Sequence, residues 1–280
     1  MEQLYGIMKS MDRIRSPIKW AGGKGQLLSQ FDLMLPKNFD LYIEPFVGGG
    51  AMFFHILPER SILIDNNSEL INFYETVRDS VSDLIDDLKV HKNDEEYYYI
   101  MRSLDPKNMD PVKRASRFLY LNKTAYNGLW RVNKSGQFNV PFGRYRSLKI
   151  FDEENLIAVS DLLKRSKIFF GDFEMVLDHA AKGTFVYFDP PYHPLSKTAN
   201  FTSYSGKFDE MDQIRLHECF KRLDEIGCYI MMSNSDTEFI KELYKDYDIK
   251  IVKARRAINS RTDGRGMINE LVVRNFDQSF

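Results

Sequence analysis

The stretch Leu41-Tyr-Ile-Glu-Pro-Phe-Val-Gly-Gly-Gly50 decides the fold of this chain of 280 residues. An apolar strand runs into consecutive glycines, and a helix can follow from Ala51. Glycines at such a turn let the backbone approach a ligand closely. About twenty residues past Glu44, Asp65 ends the next strand, where an acidic side chain can bind ribose hydroxyls. This layout predicts an α/β domain with a site for an adenosine moiety, and NAD is a weaker candidate because the turn is not G-x-G-x-x-G.

Strand-like and helix-like segments alternate along much of the chain. Runs rich in Ile, Val, Phe and Tyr predict strands at 41–46, 61–64, 167–170, 185–188, 228–233, 249–254 and 270–275. Helical stretches between several of them are predicted at 25–35, 68–90, 152–165 and 211–226. The alternation predicts a mostly parallel sheet covered on both faces. The last two strands are joined by a loop rather than a helix, so we expect an antiparallel hairpin at one end of the sheet.

Residues 70–150 interrupt this alternation and are predicted to be an insertion. Their sequence predicts helices followed by a loop rich in polar and aromatic residues. The segment 111–151 holds nine basic residues and no Asp or Glu, although the whole chain carries 39 basic and 40 acidic residues. A neutral protein with one basic segment can present a basic face to a polyanion. The alternative is an ordinary solvated helix and loop.

The stretch Phe185-Val-Tyr-Phe-Asp-Pro-Pro-Tyr192 carries the clearest chemical signal. An apolar strand delivers Asp189 to its carboxyl end, the edge at which open α/β sheets bind ligands. The two prolines lack N–H donors and stiffen the chain. An amino group on a planar ring can then be held by the Asp189 carboxylate and the Pro190 carbonyl while Tyr192 stacks on the ring. The alternative is a proline-rich turn without a chemical role.

Two further segments fit a ligand site and a nucleic-acid surface. In Lys19-Trp-Ala-Gly-Gly-Lys24, Trp20 can lie on an adenine ring and Lys24 can meet a carboxylate. The segment 126–146 interleaves Arg and Lys with Tyr, Trp, Phe and Asn around a hairpin tip at Lys134-Ser-Gly. Such side chains can read base edges and fill a gap in a base stack. The alternatives are a buried Trp beside a flexible turn, and aromatic residues that close the core of the insertion.

Composition excludes several classes of protein. The two cysteines, Cys219 and Cys228, form no disulfide framework and no Cys/His cluster, so structural zinc is not expected. The first residues lack the apolar region of a signal peptide, and no run of 18 apolar residues occurs. We therefore expect a protein of the cytoplasm that does not insert in a membrane.

Taken together, these segments resemble the DNA adenine methylase (Dam) family, class α of the N6-adenine methyltransferases. The matching pieces occur in the family's order and span nearly the whole chain: KWAGGK (19–24), EPFVGGG (44–50), DNNSELI (65–71), YNGLWRVNKSGQFNVPFGRY (126–145), DPPYHPLSKTANFTSY (189–204), SN (233–234) and RRAINS (255–260). The joint match is more specific than any single motif. Trp130 and the loop 261–267 are local variations that can affect specificity.

The resemblance implies a seven-stranded, Rossmann-like sheet that binds S-adenosylmethionine and releases S-adenosylhomocysteine. The catalytic domain is then 1–69 and 151–280, and the target-recognition insertion is 70–150. Cofactor contacts are implied for Trp20, Lys24, Glu44, Phe46, Gly48, Gly50, Asp65 and Asp189. The catalytic motif implied for a flipped adenine is Asp189, Pro190 and Tyr192. No metal is needed, because methyl transfer is then a direct in-line displacement.

The resemblance also implies a target and partners. DNA contacts map onto Lys19, Tyr126, Asn127, Leu129, Arg131, Pro141 and Tyr145. Dam-type members read double-stranded GATC, and other members read longer targets such as GATATC. The sequence does not separate an orphan methylase from one that protects its host beside a cognate restriction endonuclease, so that endonuclease is a candidate partner. A monomer is expected by default.

Other functions stay open at this point. A methylase of a glutamine amide in a protein needs similar geometry, but it typically has Asn where this chain has Asp189. An RNA methylase is disfavoured only modestly by a basic insertion suited to a duplex. A non-catalytic DNA-binding regulator requires neither D-P-P-Y nor the glycine turn. A dehydrogenase explains neither the basic segment nor D-P-P-Y.

Overall fold

The computed structural model describes residues 14–195, 208–255 and 267–277. Within these ranges the chain forms seven strands: β1 Tyr42–Glu44, β2 Ser61–Asp65, β3 Ser166–Phe170, β4 Phe185–Phe188, β5 Tyr229–Ser235, β6 Asp248–Arg255 and β7 Met267–Arg274. They form one mixed sheet in the order β3-β2-β1-β4-β5-β7-β6. The predicted seven-stranded, Rossmann-like sheet is therefore confirmed.

The helices in the described residues are α1 Leu28–Phe31, α2 Ala51–Ile56, α3 Ser68–Asp79, α4 Val81–Leu88, α5 Glu95–Ser103, α6 Pro111–Thr124, α7 Glu153–Leu163, α8 Glu210–Ile226 and α9 Glu238–Leu243. Short 3-10 turns occur at Lys24–Gln26, Asp32–Met34, Pro106–Asn108, Tyr126–Gly128 and Phe173–Asp178. No helix in the described part of the chain is long and apolar enough to cross a membrane.

Burial explains which strands lie at the centre of the sheet. All three residues of β1 and all four of β4 are buried, as expected for apolar strands covered on both faces. β1 runs parallel to β2 and to β4, and β4 runs parallel to β5. β7 is antiparallel to both β5 and β6. The predicted antiparallel hairpin is thus present at one end, with its second strand inserted between β5 and β6; the residues 256–266 that join the two strands lie outside the described ranges.

Two predicted helices are wrong in detail. The stretch 25–35 is not one helix but the four-residue α1 between two 3-10 turns. Glycines at its start disfavour helix, and Leu35 is extended before Pro36. The stretch 68–90 is two helices, because Ser80 adopts a non-helical conformation with φ −144° and ψ 41°. Serine side chains compete with helical backbone bonds, which makes such a break inexpensive.

The chain divides into two compact units. One comprises residues 1–23, 48–57 and 67–170, and the other comprises 24–47, 58–66 and 171–280. The first unit holds α2 to α7, and the predicted insertion 70–150 lies within it. The second holds α1, α8, α9 and most of the strands.

Helix α6 forms the core of the first unit. Asp110 caps its first turn by accepting a bond from the Lys113 N–H, and Pro111 occupies the first helical position, where no donor is lost. From Ala115 to Asn122 every residue is buried. The guanidinium of Arg117, only 2% exposed, donates to the carbonyls of Met101 and Arg102 at the end of α5. These carbonyls would otherwise lack partners at a helix end.

Candidate active site

Asp189 follows β4 directly, at the carboxyl end of a buried strand. The chain leaves the sheet there because Pro190 and Pro191 lack the N–H groups that a longer strand needs. One carboxylate oxygen of Asp189 lies 2.8 Å from Nζ of Lys24, a residue only 4% exposed. Burial raises the pKa of the Asp189 carboxyl above its ordinary value, and Lys24 offsets part of that rise. The ammonium therefore favours the ionised form of this partly buried carboxylate.

The carbonyl groups after Asp189 have unequal surroundings. The side chain of Gln213 donates to the Pro191 carbonyl at 2.9 Å. The His193 carbonyl accepts from the Ser235 hydroxyl. Pro190 is itself buried, yet no group in the described residues donates to its carbonyl. A carbonyl of a buried residue that lacks a donor is available as an acceptor for a ligand, since buried polar groups in proteins are nearly always paired.

An amide network holds this loop against the neighbouring strand. The Asn234 side chain, fully buried in β5, accepts from the His193 backbone N–H at 3.1 Å. Its amide nitrogen donates to Gln213 on α8 at 3.0 Å, and Gln213 in turn holds Pro191. Sequence analysis identified Asn234 within a short motif but did not identify Gln213. No local pattern marks Gln213, because its partners are more than twenty residues away.

Tyr192 has partners on its hydroxyl and on its ring. The hydroxyl donates to Oε2 of Glu270 on β7 at 2.6 Å. Nζ of Lys24 lies 4.7 Å from the ring centroid, within the range of a cation–π contact. Burial, followed by the charges of Asp189 and Glu270, raises the pKa of Tyr192 well above its ordinary value. Tyr192 therefore stays protonated and donates; Glu270 is a site residue that the sequence did not reveal.

Three acidic residues lie at the carboxyl ends of adjacent parallel strands. Glu44 ends β1, Asp65 ends β2, and Asp189 follows β4; β1 pairs with both of the other strands. The three side chains therefore share one edge of the sheet, the edge at which open α/β sheets bind ligands. Glu44 is only 2% exposed and accepts a hydrogen bond from the Tyr42 hydroxyl at 2.7 Å. The predicted strand ends are thus brought together by the fold.

Phe46 belongs to an aromatic cluster just past β1. Its ring stacks on Phe173 with centroids 5.3 Å apart and meets the edges of Phe188 and Phe208 at 6.3 and 5.7 Å. Phe46 is half-buried by these rings. Its predicted role in cofactor binding is consistent with a side chain whose position is fixed by packing.

The glycine-rich turn and Trp20 are in direct contact. A Cβ atom added to Gly48, whose φ is +45°, would lie 2.7 Å from atoms of the indole ring. A Cβ on Gly49 would lie 2.9 Å from Cβ of Trp20. The hydroxyl of Tyr74 also donates to the Gly48 carbonyl at 2.8 Å. Glycine is therefore required here both by the backbone conformation and by the close approach of Trp20.

Lys19 is held by α6 and by the recognition segment. The buried Asn122 side chain accepts from the Lys19 N–H at 2.8 Å and donates to the Lys19 carbonyl at 2.7 Å. The aliphatic part of Lys19 packs so closely on Gly128 that a Cβ there would lie 2.4 Å from it. Its Nζ lies 4.8 Å from the ring centroid of Tyr145. Lys19 and Tyr145, both predicted to contact DNA, are therefore neighbours.

The segment 125–142 forms a narrow ribbon that carries the remaining recognition residues. Isolated bridges join Ala125 to Phe142 and Val132 to Phe138, and the Tyr126 N–H donates to the Pro141 carbonyl at 2.9 Å. Four of the residues predicted to contact DNA are exposed on this ribbon: Tyr126, Asn127, Arg131 and Pro141. A fifth, Leu129, is half-buried. Asn127 adopts a left-handed conformation with φ +55°.

Side-chain bonds shape the tip of this ribbon and orient Arg131. Asn133 accepts from the N–H groups of Ser135 and Gln137, each at 3.0 Å, which closes the predicted hairpin tip. Nε of Arg131 donates to the Asn139 side chain at 2.7 Å. Trp130 is only 7% exposed, with its ring centroid 4.3 Å from that of Phe118. Its place is therefore in the core of the unit.

The basic segment is less available than its sequence suggests. Arg117 is buried as a helix cap, and burial lowers the pKa of Lys123 to about 8. Four more of the nine cations are paired with carboxylates: Lys113, Arg114, Arg144 and Lys149. Of the exposed cations of this segment, Arg131, Lys134 and Arg146 have no carboxylate partner within the described ranges. The predicted basic face is thus concentrated on the ribbon and the loop after it.

Cysteine and metal chemistry find no support in the described ranges. Both cysteines are buried free thiols, and burial raises the pKa of Cys219 to about 12 and that of Cys228 to about 11. Neither thiol is a reactive thiolate near neutral pH. Over the residues that the structure describes, no group of three or more His, Cys, Asp or Glu side chains can hold a metal ion.

Comparisons with known proteins agree with this geometry. The family model of the D12 class N6 adenine-specific DNA methyltransferases matches residues 20–258. The chain is 43% identical over 279 residues to the type II methyltransferase M1.LlaDCHI of Lactococcus lactis subsp. cremoris. The aligned region covers 96% of this chain and 98% of that protein. It is 46% identical to the type II methyltransferase M.MjaIII of Methanocaldococcus jannaschii, over 92% of this chain and 98% of that protein. It is 38% identical to the DNA adenine methylase of Serratia marcescens, over 94% of this chain and 99% of that protein.

Proposed function

Because the chain belongs to the D12 class of N6 adenine-specific DNA methyltransferases, we propose that its target is the adenine of double-stranded GATC and that this base is turned out of the helix before it is methylated. The target nitrogen is inaccessible inside a base pair, so extrusion is the expected route. Unstacking and unpairing cost a few kcal/mol. Stacking on Tyr192 offsets about 1–3 kcal/mol of that cost.

The observation that carries the proposal is the unpaired carbonyl of buried Pro190 beside the Asp189 carboxylate. An exocyclic amino group has two hydrogens. In the proposed complex one goes to the Asp189 carboxylate and the other to the Pro190 carbonyl. With both hydrogens held, the nitrogen lone pair is directed away from the ring plane and toward the methyl donor. Positioning of this kind supplies much of the rate acceleration when no covalent intermediate is formed.

Family membership implies S-adenosylmethionine as the cofactor, which when bound supplies a methyl group on a positively charged sulfur. We propose that Asp65 accepts bonds from ribose hydroxyls at the end of β2. Lys24 is suited to meet the carboxylate of the amino-acid moiety, and the acidic Glu44 is suited to its ammonium. We propose that the rest of the cofactor site is lined by Trp20, Phe46, Gly48 and Gly50. The donor set fits, since the acidic groups and Lys24 complement a ligand that carries both charges.

For target recognition we propose the residues on and beside the ribbon. The exposed guanidinium of Arg131 is suited to a bidentate contact with guanine. Tyr126 and Asn127 are placed on the exposed turn that follows α6, where they can fill the vacated space and meet the orphan thymine. The remaining proposed contacts are Lys19, Leu129, Pro141 and Tyr145. On this proposal residues 70–150 are the recognition insertion, and residues 1–69 and 151–280 carry catalysis.

We further propose that the protein acts as a monomer in the cytoplasm. The type II names of two relatives support a cognate restriction endonuclease as its functional partner. Cutting by that endonuclease would be blocked on DNA that this protein has methylated. Light scattering of the purified protein tests the monomer, with a mass of 32.9 kDa expected.

The decisive experiment maps methylated bases. Purified protein is incubated with S-adenosylmethionine and unmethylated plasmid DNA, and modified bases are located by single-molecule sequencing. N6-methyladenine confined to GATC supports the proposal. N6-methyladenine at another motif would overturn the proposed recognition of GATC by the ribbon and leave the proposed methyl transfer to adenine in place. The absence of methylation with intact cofactor binding would overturn DNA as the substrate.

A further inference from the structure

We propose that Glu270 is a positioning residue that fixes the ring of Tyr192, so that Lys24 covers one ring face and the other face is kept for the target base. This inference rests on the proposed stacking of a flipped adenine on Tyr192. Glu270 lies 78 residues from Tyr192 in the sequence and belongs to a different element. Nothing in the D-P-P-Y motif identifies it.

The hydrogen bond ties a loop residue to a rigid strand. Tyr192 belongs to the irregular segment after β4, whereas Glu270 lies within β7 and is paired with Ser235 of β5 on one side and Val252 of β6 on the other. The distance of 2.6 Å from Oη to Oε2 is that of a charge-assisted bond. A side chain on a doubly paired strand is a firmer anchor than one on a loop. Glu270 therefore restrains the far end of the Tyr192 ring.

The same bond influences the plane of the ring. A phenolic O–H prefers to lie in the plane of its ring, so an acceptor at a fixed place favours one ring orientation. Donation to a carboxylate also increases electron density in the ring, which strengthens its attraction for the Lys24 ammonium 4.7 Å from the centroid. Lys24 is in turn paired with Asp189 at 2.8 Å. Glu270, Tyr192, Lys24 and Asp189 thus form a continuous chain of contacts that ends on the catalytic carboxylate.

The experiment compares Glu270→Ala, Glu270→Gln, Tyr192→Phe and the double variant Glu270→Ala/Tyr192→Phe. Two readouts are used: the single-turnover rate of DNA methylation at saturating cofactor and DNA, and the fluorescence of 2-aminopurine placed at the target adenine. We expect Glu270→Ala and Tyr192→Phe each to slow methylation about tenfold to a hundredfold, the usual effect of losing one hydrogen bond to a charged group. Both should change the 2-aminopurine signal while leaving the dissociation constant for DNA within about threefold.

The double variant distinguishes positioning from separate roles. Because both single changes break the same bond, the double variant should be no slower than the slower single variant. Glu270→Gln keeps an acceptor oxygen and should recover much of the rate. The control is Asn269→Ala on the same strand. The Asn269 side chain donates to Asp236 rather than to the Tyr192 segment, so this change should leave both readouts unchanged.

Several outcomes would overturn the inference. One is a Glu270→Ala variant with the wild-type rate and fluorescence, and another is a double variant whose defect is the product of the two single defects. A rate loss in Glu270→Ala that follows a fall in thermal midpoint, with Tyr192→Phe unaffected, would assign Glu270 a purely structural role. Failure of the proposed function itself is recognised separately on the wild-type protein, which would then leave GATC unmethylated or give no 2-aminopurine signal of base extrusion.

Discussion

The Asp189 carboxylate is partly buried, and within the described residues its cationic partner is Lys24, at 2.8 Å. A carboxylate in that setting is a strong hydrogen-bond acceptor, since little water competes for it. We expect Asp189→Ala to lose nearly all methyl transfer and yet to bind DNA, because recognition is proposed to reside on other side chains. Methylation rate and DNA binding are measured in parallel, with the exposed Asp178→Ala as the control. Near-normal turnover in Asp189→Ala would show that this carboxylate has another role.

The pairing also predicts a pH dependence. In the proposed mechanism methyl transfer requires ionised Asp189, so the rate should fall as the pH drops through the pKa of this carboxyl. Burial raises that pKa and Lys24 lowers it in part, so replacing the ammonium must raise it further. Lys24→Met should therefore shift the acidic limb of the kcat profile to higher pH. The profile is measured at saturating cofactor, with Lys221→Met on the surface of α8 as the control; an unmoved limb would argue against Asp189 as the titrating group.

At the scale of elements, the ribbon 125–142 is proposed to determine sequence specificity through the guanidinium of Arg131. Arg131 is exposed; its Nε donates to the Asn139 side chain and Nη2 donates to the Asn139 carbonyl at 3.4 Å, which leaves Nη1 and the second hydrogen of Nη2 for a base edge. Arg131→Ala should relax discrimination at one base pair by about 1–3 kcal/mol. Rates on single-substituted sites measure this. Lys134→Ala at the hairpin tip is the matched control, expected to weaken all sequences equally; a uniform loss in Arg131→Ala would refute the specific contact.

Helix α6 contains an arginine, Arg117, that is buried and bonded to the protein itself rather than exposed to DNA. Arg117 satisfies two carbonyls at the end of α5 from a position that is 2% exposed. Arg117→Met leaves them without a donor and should lower the free energy of unfolding by about 1–3 kcal/mol. Chemical denaturation measures the loss. The salt dependence of DNA binding should not change, in contrast to Lys134→Ala, and a changed salt dependence would mean that Arg117 contacts phosphate after all.

At the scale of the whole molecule, cofactor binding and stability are linked. A ligand that binds only the folded protein, present at roughly a hundredfold excess over its dissociation constant, adds about 2.7 kcal/mol to the free energy of unfolding. S-adenosylhomocysteine should have this effect, and dialysis should reverse it. Asp65→Ala, which removes the proposed ribose contact, should need a higher ligand concentration for the same gain. An equal response in wild type and Asp65→Ala would remove Asp65 from the cofactor site.

Most strands were predictable from sequence because they are short segments rich in apolar residues that end in a turn signal. The residues at their carboxyl ends, such as Glu44, Asp65 and Asp189, could be placed together because parallel strands end at a common edge. The partners of the D-P-P-Y segment were not predictable in this way. Glu270 and Gln213 reach it only through strand pairing and helix packing over long sequence separations. Arg117 was misjudged for the same reason, since composition counts charges and burial decides which of them are available.

The place of β7 between β5 and β6 has a consequence for biosynthesis. The ribosome releases β6 before β7, yet β6 has no neighbour in the sheet other than β7. In this sheet β6 therefore cannot pair until β7 has been synthesised. Glu270 arrives with that strand, so Tyr192 gains its anchor in the same event that closes the sheet. The contact between Tyr192 and Glu270 therefore cannot form until β7 has been synthesised and has joined the sheet.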